Sequence, residues 1–290
     1  MKNLDLSTLP AKKRKQIVSC LRAGIQLLYF LFLPSVFTAA FNGVKYIFTQ
    51  LGQGEKIEMT AFVSALLLVC AFTIVFGRFF CGFACAFGSL GDAMHAIYGI
   101  ICKKRKKKPI RIKPELAKKL ALVKYGILLL IALCCFAGVY QKARGTSPWD
   151  VFSMLHAGNF RLSSYIPGIV LLVLILAGMF FEERFFCHFL CPMGAVFSLL
   201  PILPFFTLHR KRENCIRGCS ACTRQCPSAV ELPSNGSVEI SGDCFQCQKC
   251  IDTCPKGNIR CGVKEFHGNE ILFTLFRAVF LLTLLLWAGI

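Results

Sequence analysis

The sequence predicts a mainly α-helical, polytopic membrane protein of about five spans that carries a small α+β insert. Three observations predict it. Hydrophobic residues make up 55% of the 290 residues, mean hydropathy is +0.59 and charged residues reach only 17%, a membrane-class composition. Five apolar stretches approach the length that crosses ~30 Å of hydrocarbon as helix. Between the fourth and the fifth, residues 215–255 hold eight cysteines in two short runs, which no span would carry.

The stretches lie at Ile25–Phe41, Ala61–Phe76, Leu120–Val139, Tyr165–Phe181 and Ile271–Ile290. Pro34 should kink the first, and Arg277 sits near one end of the last, where it can snorkel. Basic residues then set an orientation. They cluster at Lys12–Lys15, at Lys103–Lys108 and at Arg210–Arg212, all on one side if the five spans are real. That reading puts the N-terminus and the cysteine-rich segment in the cytoplasm and the C-terminus outside, in a multi-pass protein of the cytoplasmic (inner) membrane. The first stretch is longer than most signal-peptide cores and reads as an anchor. Trp149 and Tyr165 fit an aromatic belt at the outer interface. The formal charge of +19 is explained by topology and anionic lipid headgroups, and no nucleic-acid motif accompanies it.

The cysteine runs follow. The first is Cys215, Cys219, Cys222, Cys226 and Pro227; the second is Cys244, Cys247, Cys250, Cys254 and Pro255. Two such runs, each closed by Cys-Pro, are the bacterial arrangement for two [4Fe–4S] clusters, in which each run's last cysteine serves the other cluster. Cluster I is therefore expected on Cys215, Cys219, Cys222 and Cys254, and cluster II on Cys244, Cys247, Cys250 and Cys226. Cys215 stands four residues before Cys219 where three is usual. Zinc sites use separated pairs, and disulfides need an oxidising compartment. A turn at Pro233–Gly236 and a strand at Val238–Ile240 complete the ferredoxin-like insert.

The chain also repeats itself. Residues 78–88 read RFFCGFACAFG and residues 184–194 read RFFCHFLCPMG. Cys81 and Cys85, like Cys187 and Cys191, stand four apart, on one face of a helix. Two such dithiol clips offer four thiolates for a further iron–sulfur or metal centre. Ala86 replaces the proline of the second copy, which should loosen the first clip. Each copy runs into an apolar stretch (Ser89–Cys102, Ala195–Phe206) too short to span.

With RFFCxFxC twice, followed by a two-cluster segment, the chain resembles the NapH/NosR/CcoG type of membrane 4Fe-4S polyferredoxin over roughly residues 20–262. The resemblance implies single-electron relay between a quinone pool or cytoplasmic donor and a partner redox protein. It implies an electron-transfer component of an oxidoreductase system, quinol dehydrogenase-like, with no catalytic residues of its own. It departs from the family in lacking an appended flavin-binding domain and a CxxCH haem site, and in a fifth span after the insert. The organisation expected is a membrane domain at 1–212, a two-cluster domain at 213–262 and a C-terminal transmembrane helix at 263–290. Expected partners are the lipid bilayer, a redox protein, quinone and an acidic carrier such as flavodoxin or ferredoxin, drawn by the surrounding Lys and Arg. The alternative reading is a maturation or regulatory protein that reduces metal for another metalloenzyme. A transporter is disfavoured, because the spans lack buried charges lining a path.

The remaining polar residues carry weaker signals. His188 and His95, near the clips, are candidates for metal or proton binding. Asp92, Glu182 and Glu183 flank the same motifs and read as solvated groups at span ends. Cys70, Cys134 and Cys135 read as core packing.

Overall fold

The structure, a computed structural model, describes the chain except residues 1–10, 108, 141–144, 161–162, 204–206, 211, 229, 231–237, 240–241, 263–269 and 290. It is mostly α-helical with a small antiparallel sheet. Helices α1 (Ala11–Phe32) and α2 (Val36–Gln53) are separated at Pro34 and bent by 61°, the kink that proline dictates. Helix α3 (Ala61–Phe76) begins at Thr60, whose hydroxyl accepts from Val63 N–H at 3.3 Å. It packs closely on α2 because Gly43 has no side chain to meet the Phe62 carbonyl.

A π-turn (Phe80–Ala84) then leads into α4 (Ala86–Lys104). Helices α5 (Pro114–Leu120), α6 (Val123–Phe136), α7 (Pro148–His156) and α8 (Ile166–Phe181) follow. A second π-turn (Phe186–Leu190) and α9 (Pro192–Leu199) repeat the earlier motif. The cysteine-rich segment consists of β1 (Thr207–Arg210), α10 (Ala221–Gln225), β2 (Val238–Glu239), α11 (Lys249–Thr253) and β3 (Ile259–Gly262). Its strands lie in the order β2-β1-β3, with Leu208 opposite Glu239 on one side and Cys261 on the other. The turn expected at 233–236 and the end of the expected strand at 240 fall outside the described residues. Helix α12 (Glu270–Trp287) closes the chain.

The five-span expectation does not hold. Among the described residues one helical stretch, Glu115–Phe136, is long and apolar enough to cross a membrane, and the bent α1–α2 pair qualifies only if both halves are counted together. The other apolar runs form helices of 16 to 18 residues, about 24–27 Å long, short of the ~30 Å required. The reason is local: Gly77, at φ 66°, and the π-turn beyond it end α3, while Glu182 leaves the helical conformation and ends α8. The orientation drawn from loop charges needed all five spans, so the multi-pass inner-membrane placement falls with them.

Two residues assigned to membrane interfaces also lie elsewhere. Arg277 is fully buried, its guanidinium 4.6 Å from the Phe79 ring centre, instead of reaching for solvent. Trp149 is buried edge-on against Phe41, with ring centres 5.1 Å apart.

The main core gathers around the two π-turns. Phe79, Phe80, Phe83, Phe87, Phe186 and Phe197 are buried there together with Cys81, Cys85, Cys187 and Cys191. Phe245 of the cysteine-rich segment belongs to the same core.

Candidate metal centres

In the cysteine-rich segment two five-residue helices, α10 and α11, each end in the last cysteine of a run. Cys226 (φ −74°, ψ 123°) and Cys254 (φ −71°, ψ 115°) are extended, the conformation forced on a residue that precedes proline. The chain therefore leaves its helix at the sulfur and turns away. One cavity, of ≈ 370 Å³ of empty space partly open to solvent, is lined by Cys215, Cys219, Cys222 and Cys254. A second, of ≈ 420 Å³, is lined by Cys226, Cys244, Cys247 and Cys250, with Cys222 between the two. The last cysteine of each run thus stands in the wall of the other run's cavity.

Donors surround the first cavity. Asn258 donates its backbone N–H to Cys254 Sγ at 3.3 Å and its Nδ2 to Cys215 Sγ at 3.4 Å, and Arg210 reaches Cys222 Sγ at 3.4 Å. Around the second, burial and then the neighbouring Cys247 push the Cys226 thiol up to about 11. Burial, then Cys247 and Cys244, raise Cys250 well above a free thiol. Thiols packed this way lose their protons only when a positive core joins them. Among the described residues no three His, Cys, Asp or Glu side chains converge tightly enough to hold a single metal ion. A mononuclear tetrahedral thiolate centre needs sulfurs about 4 Å apart.

The clips differ from the expected helical face. Cys81 and Cys187 lie inside π-turns, whereas Cys85 and Cys191 are extended corners that start α4 and α9. Cys85 (ψ 123°) matches Cys191 (ψ 115°) although Ala86 follows it where Pro192 follows the other. All four thiols are buried. Burial, then Cys187 and Cys81, raise Cys85; burial, then Cys187, Cys81 and Cys85, raise Cys191. Cys187 is pushed up to about 11 by burial, against the pull of Arg184. The four sulfurs therefore form one electrostatic group.

The repeat's arginines cross over. Arg184 donates to the backbone carbonyls of Cys81 and of Gly82, the latter at 2.8 Å, both in the first copy. A Cβ on Gly88 would stand 2.5 Å from Arg184 Nη1, and one on Gly194 would stand 3.0 Å from Arg78 Nη2. Each matched glycine thus makes room for the arginine of the other copy. Both guanidiniums lie over the ring of Phe245, Arg78 at 4.6 Å and Arg184 at 5.7 Å from its centre. Gly82 lets this residue in, since a Cβ there would meet the Phe245 carbonyl at 2.3 Å. Arg78 Nη1 stands 3.6 Å from Asp243, and its buried guanidinium lies in a field set by Cys81, Asp243 and Cys191.

Asp92 holds this layer in place. It accepts from Arg184 Nε at 2.9 Å and Nη2 at 2.6 Å, from Arg22 at 2.6 Å and from Gln26 at 2.7 Å. The paired guanidiniums outweigh its burial and hold its carboxyl well below the usual carboxylate range. Lys124, fully buried on α6, binds Asp243 at 2.5 Å and Ser198 at 2.9 Å, anchoring the loop that precedes Cys244.

Asp92 and the two glutamates are therefore not the solvated groups expected. Glu183 is buried and paired with Lys249, and Glu182 accepts from Ile112 N–H at 2.9 Å. His188 packs on Phe189, with ring centres 4.3 Å apart, and burial followed by Lys124 pushes it down to about 4. His95 faces Tyr98 at 5.9 Å. Cys135 is buried, and Cys70 and Cys134 are half-buried. The sequence held no sign of the roles of Phe245, Lys124 or Gln26. The matched Arg78 and Arg184 were visible in the repeat, but their crossing was not.

The family model described as 4Fe-4S binding domain matches residues 59–109 and 166–207, two stretches that each contain one clip. An uncharacterized protein of Methanocaldococcus jannaschii, MJ0750, is 26% identical over 83% of this chain and 93% of its own length. The ferredoxin-type protein NapH of Haemophilus influenzae is 24% identical over 72% of this chain and 70% of its own. The regulatory protein NosR of Pseudomonas aeruginosa is 23% identical over 70% of this chain, which spans 29% of NosR. No solved structure matches. The chain is thus similar, at low identity and over part of its length, to 4Fe-4S-binding and ferredoxin-type proteins.

Proposed function

We propose that this protein is an iron–sulfur electron-transfer protein that exchanges single electrons with a partner redox protein. The observation that carries the reading is the sorting of eight thiols between two adjacent cavities, 215/219/222/254 and 226/244/247/250. Four sulfurs spread over the walls of each cavity, with no three side chains among the described residues converging on one ion, suit an extended inorganic core better than a single ion. [4Fe–4S] clusters bound there would supply one-electron redox chemistry.

The chain's own part is to bind and to tune. Pro227 and Pro255 fix the corner sulfurs, while Asn258 and Arg210 direct donors at sulfur and favour the more negative state. The clip thiols Cys81, Cys85, Cys187 and Cys191 are proposed to hold a further iron–sulfur centre. Arg78 and Arg184 offset its negative charge inside an apolar core that excludes water. In this reading residues 213–262 form the two-cluster unit, docked on the clips through Phe245.

Anaerobic isolation with iron and acid-labile sulfide counts, followed by EPR of the reduced protein, tests the proposal. Cys254→Ser should alter one ferredoxin signal and Cys226→Ser the other, while Cys81→Ala with Cys187→Ala should remove a third. Colourless protein carrying zinc and no sulfide would overturn the reading.

A further inference from the structure

The twelve candidate ligand cysteines are unequally covered. Cys219 is exposed, and the other eleven are buried or half-buried. Leaving one sulfur of a metal site in water invites oxidation and hydrolysis, so its exposure calls for a reason. The surface around it has the composition of a recognition patch. Ile216, 48% exposed, lines the same cavity together with exposed Pro255 and Lys256, and exposed Arg217 and Arg224 adjoin it in the chain, next to Ile216 and two residues after Cys222. Arg111, also exposed, donates to the Arg224 carbonyl and extends the basic rim. Among the described residues, Glu213 is exposed and Asp252 half-buried in this stretch of chain, and Glu182 acts on Arg111 at the edge of the rim.

The opposite side offers no such access. Phe245, Gln246 and Gln248 are 2%, 1% and 4% exposed against the helical core, and Lys249 is tied to Glu183. Among the described residues, Cys219 is the most open of the segment's eight thiols to electrons arriving from outside.

We propose that the face centred on Cys219 and Ile216 is the docking surface for a small acidic electron-carrier protein; this deepens the electron-transfer reading and rests on it. An apolar centre within a rim of like charge is ordinary interface anatomy. Its charges steer an acidic partner and set its encounter rate. In each encounter the carrier is oxidised by one electron and this protein reduced by one, or the reverse, and no bond forms or breaks. A lipid surface, the competing anionic partner, would use the same charges but has no need of an exposed sulfur at their centre.

The test uses the full-length, cluster-loaded protein and a dithionite-reduced acidic [2Fe–2S] ferredoxin as probe. Stopped-flow reduction and direct binding are measured against salt for three proteins: wild type, Arg217→Glu with Lys256→Glu, and a control with equal charge change, Lys103→Glu with Lys104→Glu on α4. The surface variant should lose about ten- to a hundredfold in second-order rate at low salt, with a flatter salt dependence. The control should stay within about twofold of wild type. Ile216→Asp should weaken binding without flattening the salt dependence. Equal losses in surface and control variants, or no loss in either, would overturn the proposal. So would loss of binding to vesicles of phosphatidylglycerol with carrier binding intact. Iron and sulfide counts on the same samples separate the two readings. Protein without clusters sinks the electron-transfer reading, while the binding arm still decides the surface by itself.

Discussion

Replacing Asp92 by asparagine should be among the most damaging single changes in the helical part of the chain. The carboxylate accepts four hydrogen bonds, two from Arg184, one from Arg22 and one from Gln26. Arg184 is completely buried and cannot turn to water for compensation, whereas the Arg22 side chain, 10% exposed, lines an open cavity beside Asp92. Asparagine keeps one acceptor oxygen but turns an amide N–H₂ toward donors. Breaking a buried pair by removing one partner costs about 3–5 kcal/mol, or roughly 6–20 °C in melting temperature for a domain of this size.

Acidity gives a second readout. Because the folded carboxyl is held below its unfolded value, its contribution is complete above about pH 4 and drains away as pH falls further. Wild type should therefore lose part of its advantage over Asp92→Asn by pH 3, with the remainder going only in stronger acid. Thermal melts of both proteins at pH 7 and pH 3 measure the difference. A gap below about 1 kcal/mol at pH 7, or one that persists unchanged in acid, would refute the argument that Asp92 neutralises a buried guanidinium layer.

Two further changes probe the same layer. Phe245→Leu keeps most of the buried apolar surface but removes the ring beneath both guanidiniums, and should cost about 1–2 kcal/mol; Phe245→Ala should cost about 3–5 kcal/mol, and equal losses in the two melts would count against the cation–ring contacts. Helix α4 supplies a matched pair of glycines. Gly88→Ala would place a Cβ 2.5 Å from Arg184 Nη1 and 2.6 Å from the Cys81 carbonyl, and should destabilise the protein and lower its iron content. Gly99→Ala meets nothing within 4 Å and should stabilise by about 0.5–1 kcal/mol, the helical advantage of alanine.

Local features were legible in the sequence. The apolar runs at Ala61–Phe76 and in 166–181 form helices over those residues, Pro34 breaks its helix, and the repeated RFFC copies fold alike, though into a π-turn and an extended corner instead of the helical face expected. Cysteine spacing is local too, because a loop that brings three sulfurs together uses only neighbours in the chain. Span count was not legible. Hydropathy reports how apolar a segment is, not where its helix stops, and the stops at Gly77 and Glu182 leave helices too short to cross.

The sequence by itself determined where the thiols stand along the chain and which residues its two halves share, since identity and spacing need no folding to be read. Only the tertiary structure decided that Arg78 and Arg184 both lie against Phe245, that Asp92 pairs with buried Arg184 and buried Lys124 with Asp243, and that Cys219 is left outside. These pairings join residues as many as 167 positions apart, as from Arg78 to Phe245. A charge buried in an apolar core must find its counter-charge or acceptor wherever the fold brings one, and no local pattern names that partner in advance.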